Sequence, residues 1–431
     1  MAAPVAYDIS RLSTRVLKRT PNGIDRVEFA LARHFLDAAR GCPLGVMMTL
    51  LGPRVRAAAS ARAALDRLSA HWGEDDDLER DESYRRIVAS IAAPAGPRQA
   101  AARHVARRRG GLAAGVAGWL SRYGFAAGGS PVRALPKGAR YLNDGQFPLW
   151  EPRYFRWLRA RPDVRAAFFI HDLLPIEAPE YFPRGERERH LARMTTLAAF
   201  GAGAIVATRV VEAALRRRLA ALGRSDMPIL VAPTPVAAVF SQRRPVDREL
   251  AGQRYFVACG TIEPRKNHLL LLNVWRELVR RDGAAAPKLL LIGERGRENE
   301  NVVDLLERCR GVASHVIEVS GLSTPGLNAL LQGACALLAP SFAEGCGLPV
   351  VEALAAGVPV IASDIPSFRE IGGERLVALN PIDGEKWLET IRRFAGSPRP
   401  ARPPAPTGAQ ILPNAAWEGY FAEIEGFLES L

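Results

Sequence analysis

Glu344 and Glu352 stand eight positions apart in the stretch SFAEGCGLPVVEALAAGVPVIAS (341–363), which is otherwise small and apolar. Burying an ionised carboxylate without a partner is costly, so two of them in such a run call for groups that pair with them. The loop AEGCGL carries two glycines that let the backbone approach a ligand, and Pro349 follows where a helix can open, since its missing N–H would have had no partner there. Amides exposed at a helix start, helped by about half a positive charge from the helix dipole, favour an anion. Carboxylates repel phosphate but accept from hydroxyls. The stretch therefore predicts a loop that holds a phosphate, with the two acids paired to the hydroxyls of a sugar and a ribose, as a nucleotide sugar would supply. By spacing alone, Glu352 reads equally well as a first-turn helix acid and Glu344 as an ordinary loop acid.

These residues need elements to position them. From about Arg254 onward, the runs RYFVACG, KLLLIG, HVIEVSG, CALLAPS and PVIASD are almost continuously apolar, as strands buried on both faces of a parallel sheet are. Amphipathic stretches such as HLLLLNVWRELVRR separate them, so this half reads as a doubly wound α/β domain. FALARHFLDAAR, AAFFIHDLLP and AGAIVATRVVEAALRRRLAAL predict a second α/β domain before it. Residues 74–130 read as a helical or irregular insertion within that first domain. Prolines and charges in VAPTPVAAVFSQRRPVDREL place a hinge near 235–245, giving expected domains of 1–240 and 241–413. SPRPARPPAPTG then predicts an extended connector, and residues 414–431 a helix striped by Trp417, Phe421, Ile424 and Phe427.

The 431 residues carry a net charge of +13, which admits nucleic acid, an anionic membrane or phosphorylated ligands as partners, or simply a GC-rich genome. No zinc-finger spacing, RNA-binding strand or basic tail is present, so nucleic acid is not expected. Cys42, Cys259, Cys309, Cys335 and Cys346 form no CxxC pair, which predicts reduced thiols without zinc or disulfides. The start of the chain lacks a signal peptide's apolar core, and no run approaches the roughly eighteen apolar residues of a membrane helix, so a cytoplasmic setting is expected. RQAAARHVARRRGGLAAGVAGWLSRYGF, around Trp119, reads either as a basic amphipathic face for peripheral contact with the inner membrane or as a solvated helix.

The longer segment SFAEGCGLPVVEALAAGVPVIASDIPSFREIGG resembles the donor-binding signature of retaining glycosyltransferases of the two-domain GT-B fold, family 4. YFVACGTIEPRKNHLLLLNVW is similar to the first strand, loop and helix of that family's C-terminal domain. With weaker matches in the first half, the resemblance covers most of the chain outside 50–135. It implies two Rossmann-like domains facing each other across a cleft, with the last helix returning to the N-terminal domain. In the roles it implies, Arg265 and Lys266 neutralise the donor diphosphate, Glu344 contacts the transferred sugar and Glu352 the ribose. The amides of Gly345, Cys346, Gly347 and Leu348 hold sugar and phosphate oxygens, and Gly260 and Thr261 join the donor site. Leu322, in EVSGLS, lies near the nucleobase. Gly23, in TPNGIDRVEF, lets the backbone approach the reacting centre, and His171, in FFIHDLLP, lies beside the donor sugar. Cys346 stands where the family often has an aromatic residue. YLNDGQFPLW is similar to another cleft-lining segment, from whose pattern Asp144 and Gln146 depart.

The resemblance further implies transfer of a hexose with retention, from a nucleotide diphosphate sugar to a glycan or lipid-linked acceptor in polysaccharide assembly. GDP-mannose is preferred and UDP sugars come next; no metal or other cofactor is expected. Asp75 and Asp77 have the spacing of a manganese-binding D-x-D but sit in the charge run GEDDDLERDE, with no apolar strand before it. No G-x-G-x-x-G lies between a strand and a helix, which argues against a nicotinamide oxidoreductase. A nucleotide-sugar epimerase on the same scaffold and a noncatalytic nucleotide-sugar-binding protein remain as alternatives.

Overall fold

A computed structural model describes residues 3–18, 20–37, 39, 43–72, 78–94, 104–105, 128–397 and 417–431. Along the first half the strands are β1 (Val5–Asp8), β2 (Leu44–Thr49), β3 (Gly52–Ala57), β4 (His104–Val105), β5 (Arg140–Asn143), β6 (Arg165–Phe169), β7 (Gly203–Val206) and β8 (Ile229–Val231). Along the second they are β9 (Tyr255–Cys259), β10 (Lys288–Ile292), β11 (Val316–Ser320), β12 (Leu337–Ala339), β13 (Val360–Ser363) and β14 (Leu376–Leu379). They form two seven-stranded sheets, ordered β3-β2-β1-β5-β6-β7-β8 and β14-β13-β12-β9-β10-β11-β4. All pairings between these strands are parallel except that of β2 with β3. This is the expected pair of doubly wound domains.

The continuous apolar runs have a direct structural cause. Along β9 and β10, Tyr255, Val257, Leu290 and Ile292 enter one core while Phe256, Ala258, Leu289 and Leu291 enter another on the opposite face. With the inserted β4 set aside, the strand order reverses between β1 and β5 in one sheet and between β12 and β9 in the other. Crevices at the carboxyl ends of strands flanking such reversals are where open α/β sheets take ligands.

The insertion does not stay with the first domain. Its helix Glu82–Ala92 buries Tyr84, Ile87, Val88 and Ile91 in the core of the C-terminal lobe, and β4 extends that lobe's sheet beside β11. Lys288 Nζ closes the helix end by donating to the carbonyls of Ser90, Ile91 and Ala93. The expected boundary at 240 thus describes the chain order, while packing assigns these pieces of the 74–130 region to the second lobe. An amphipathic helix must bury its stripe somewhere, and the open flank beside β11 accepts it.

The final helix, Trp417–Ser430, packs on the N-terminal lobe, where Tyr420, Ile424 and Leu428 join Tyr7, Leu142, Phe169 and Ile205. The stripe is wider than expected, with Trp417, Phe421 and Phe427 along its margin. Cys42, Asp75, Asp77, the basic stretch around Trp119 and most of the proline-rich connector lie outside the described residues.

Candidate active site in the interlobe cleft

Two loops at the β12/β9 reversal build the C-terminal half of the site. After β9, Gly260 adopts a left-handed φ of +134°, and a Cβ there would lie 3.2 Å from Lys266 Cε. The single turn Pro264–Lys266 follows, and Asn267 ties it to the neighbouring loop by donating from Nδ2 to the carbonyls of Pro340 (3.1 Å) and Pro381 (2.8 Å). The Phe342 amide donates to the Arg265 carbonyl at 2.8 Å. These bonds bring both cations onto Glu344: Arg265 Nη1 lies 2.6 Å from Oε2 and Lys266 Nζ 2.5 Å from Oε1, with Ser341 Oγ donating to Oε1 at 2.9 Å. Glu263 holds the other side of the Arg265 guanidinium at 2.7 Å. Burial alone would push the Glu344 carboxyl up, but the Arg265 and Lys266 charges outweigh it and hold the group down at about 2.

Beyond β12, Gly347 caps the helix Leu348–Ala355 with a φ of +78°, which favours glycine. Pro349 takes the second helical position, where its missing N–H is equally harmless. Glu352 then falls one turn in, buried beneath the cleft.

The N-terminal half comes from loops after β1 and β6. Asn22 opens the helix Gly23–Phe35 with a reciprocal cap: its side chain accepts from the Asp25 amide at 2.9 Å, and Asp25 accepts from the Asn22 amide at 3.1 Å. One turn on, Arg26 reaches across the cleft and forms an ion pair with Glu352. His171 follows β6 and donates from Nε2 to the Asp144 carbonyl at 3.0 Å, which leaves Nδ1 as its acceptor. Burial, with the nearby Arg11 charge, depresses this imidazole to about 4, so it is neutral at physiological pH.

Behind His171 lies a buried acid cluster. Arg11 pairs with Glu28 and, at 2.7 Å, with Asp25. Asp144 is fully buried, and neither of its carboxyl oxygens finds a hydrogen-bond partner among the described residues. Burial and then the charge of Glu28 raise Asp144 well above the usual carboxylate range, and burial lifts Glu28 to about 7. His171 Nε2 also approaches Asp144 Oδ1 to 3.8 Å. Gln146 is buried in the same loop with a φ of +53° and, like Asp144, does not line the cleft.

The lobes are closed on each other. Thr208 Oγ1 donates to the Gly345 carbonyl at 3.0 Å, the amides of Arg209 and Val210 donate to Glu370 at 2.6 and 3.1 Å, and Lys18 pairs with Glu294 at 2.9 Å. The rings of Tyr181 and Phe342 stack 5.3 Å apart. At Gly345 an added Cβ would lie 2.5 Å from the His171 carbonyl oxygen, and at Gly23 one would lie 2.8 Å from Leu348 Cδ1. Between these contacts lies a cavity of about 310 Å³. Gly23, His171, Gly260, Thr261, Arg265, Lys266, Leu322, Glu344, Gly345, Cys346, Gly347, Leu348 and Glu352 all line it. Larger depressions beside Leu431 and beside Arg184 gather none of them.

One expectation changes. The sequence reading paired Glu344 and Glu352 with ligand hydroxyls, whereas the structure gives each acid cationic protein partners, Arg265 and Lys266 for one and Arg26 for the other. Closure buries both acids, and a buried carboxylate requires such compensation. Arg26 was missed. Its signal was present, since a helix opening at Gly23 brings the residue three positions on to the same face. Burial raises both cleft thiols, Cys259 and Cys346, to about 12, so neither is a nucleophile. Among the described residues, no group of three His, Cys, Asp or Glu side chains is placed to hold a metal ion, and no helix is long and apolar enough to cross a membrane.

Residues 253–396 match the family described as Glycosyl transferases group 1. The chain is similar to O-antigen chain mannosyltransferase B of Escherichia coli, at 30% identity over 237 residues, covering 51% of this chain and 58% of the relative. It is similar to O-antigen chain mannosyltransferase RfbU of Salmonella typhimurium, at 32% identity over 155 residues, covering 34% of this chain and 40% of the relative. The chain thus spans less than two thirds of either relative's length. Among solved structures, a UDP-forming α,α-trehalose-phosphate synthase from Burkholderia vietnamiensis matches with a TM-score of 0.54 at 15% identity, covering 70% of this chain and 76% of that one. Sucrose-phosphate synthase from Thermosynechococcus elongatus matches with a TM-score of 0.52 at 20% identity, covering 74% and 76%. At these identities the structural matches speak for the fold, which is GT-B.

Proposed function

We propose that this chain, whose residues 253–396 match the family described as Glycosyl transferases group 1 and whose fold is GT-B, is a retaining hexosyltransferase. It moves a sugar from a nucleoside diphosphate donor to a glycan or lipid-linked acceptor in polysaccharide assembly. The observation that carries this reading is the convergence of Arg265, Lys266 and the start of the helix Leu348–Ala355 on one cavity that also holds two buried acids. Mannose as the sugar, with GDP as its carrier, draws support from the O-antigen mannosyltransferases among the relatives.

The donor diphosphate would lie against Arg265, Lys266 and the amides after Gly345. As the bond from the anomeric carbon to the phosphate oxygen breaks, negative charge grows on the diphosphate, and fixed cations and dipoles stabilise it without rearranging. The acceptor oxygen bonds to the same face of the anomeric carbon, and its proton passes to a phosphate oxygen of the departing diphosphate. No side-chain base is required. His171, neutral and with Nδ1 as acceptor, orients a sugar hydroxyl without adding charge. Closure through Gly23 and Gly345 keeps water from the activated sugar.

The test is product analysis by NMR after incubating the protein with GDP-mannose and a mannosylated acceptor. An α-mannoside and GDP are expected. Epimerised donor without transfer would reassign the chain as an isomerase, and donor binding without turnover over a broad acceptor panel would reassign it as a binding protein.

A further inference from the structure

Building on the donor site just proposed, we infer that Arg26 is a positioning residue for the nucleoside, holding Glu352 from the opposite lobe so that ribose hydroxyls complete an already half-occupied carboxylate. The pair spans 326 positions of sequence and joins the helix Gly23–Phe35 of one lobe to the cleft helix Leu348–Ala355 of the other. Both side chains are largely withdrawn from solvent, at 13% and 5% exposure. The guanidinium also lies over the ring of Phe240, 5.5 Å from its centroid, and Phe240 is fully buried at the connection between the lobes. Arg26 is thus clamped by charge on one side and by an aromatic face on the other.

A ribose that reaches Glu352 either evicts Arg26 or shares the carboxylate with it. Eviction breaks a buried ion pair between the guanidinium and Glu352, and neutral hydroxyls do not make good that loss. Sharing carries no such cost. A carboxylate offers about four acceptor positions, and Arg26 Nη2 donates to one of its oxygens, Oε1. Burial outweighs the opposing Arg26 charge and hydrogen bond and raises the Glu352 carboxyl above its ordinary range, so the Arg26 pairing is what limits that rise. The ribose acceptor is therefore a product of both lobes, and nucleoside recognition and cleft closure become one event.

The test is calorimetric titration of GDP and UDP, and of their 2′,3′-dideoxy counterparts, into the wild type, Arg26→Ala and Arg26→Lys. Arg26→Ala is expected to weaken the ribonucleotide about tenfold and its dideoxy counterpart less than about twofold, with most of the affinity regained in Arg26→Lys. Melting curves of the unliganded proteins check folding, and if Arg26→Ala fails to fold, Arg26→Gln takes its place against Arg26→Lys. Unchanged or tighter ribonucleotide binding on losing the guanidinium would overturn the inference, the tighter case showing that Arg26 competes with ribose. Equal losses for ribose and dideoxyribose ligands would overturn it as well. Binding of neither nucleotide to the wild type would instead remove the functional reading on which the inference stands.

Discussion

Arg265 and Lys266 grip opposite oxygens of Glu344, at 2.6 and 2.5 Å, so one buried carboxylate orders two neighbouring cations toward a single cavity. Held in this way, the cations need little rearrangement when charge develops on a leaving group.

Lys266→Ala should leave the protein folded, because Glu344 keeps Arg265 and Ser341 as partners. Turnover should fall on the order of 100- to 1,000-fold, the cost of deleting one preorganised charge-stabilising group. Steady-state kinetics alongside a melting curve measures both. Near-normal kcat would refute the diphosphate role.

The depressed Glu344 carboxyl makes a pH signature. Its folded value of about 2 lies below the ordinary 4.5, so its contribution to stability is present above about pH 4.5 and is lost as pH falls toward 2. Urea unfolding of the wild type and Glu344→Gln should therefore differ by up to about 3 kcal/mol near pH 6 and converge steadily below pH 4.5. A gap independent of pH across that window would contradict the assignment.

Gly345 and Gly23 both sit where the lobes touch, but they meet different atoms. A methyl at Gly345 runs into the His171 backbone carbonyl at 2.5 Å, whereas at Gly23 it meets the tip of the Leu348 side chain, which can turn aside. Gly345→Ala should hold the lobes apart, widening the molecule in solution scattering and abolishing most activity. Gly23→Ala should do so only mildly. Equal effects would show that closure does not depend on the backbone approach at Gly345.

Lys288→Met should loosen the helix Glu82–Ala92, which loses the ammonium that satisfies three of its terminal carbonyls. A cost of about 1–3 kcal/mol is expected for carbonyls left unpaired. Hydrogen exchange should quicken in 82–92 and in β11, and not in the N-terminal lobe. Unaltered exchange in that helix would show that its apolar face alone holds it.

The C-terminal lobe was legible because buried parallel strands must be apolar on both faces, and β9, β10, β12 and β13 write that requirement as short apolar runs, as β11 does apart from Glu318. The loops they feed were legible for a related reason: glycines, a proline and paired acids between such strands have few structural uses. The helix Glu82–Ala92 shows where local pattern stops. Tyr84, Ile87, Val88 and Ile91 mark a buried stripe, yet nothing in a stripe says which core receives it. Glu344 and Glu352 make the same point in the site. Their need for partners was visible, but their pairing with Arg265, Lys266 and Arg26 depends on how loops and lobes meet, and Arg26 lies 326 residues from Glu352.

On the proposed function, the cleft binds a nucleoside diphosphate sugar through the cations on Glu344. A thermal-shift screen of the wild type and Lys266→Ala against a panel of nucleotide sugars reads this binding, since a ligand at 100 times its dissociation constant stabilises the native state by about 2.7 kcal/mol. GDP-mannose, or failing that a UDP sugar, should raise the melting temperature of the wild type by several degrees and lose most of that effect in the variant. No shift with any member of the panel, or the same shift in both proteins, would contradict it.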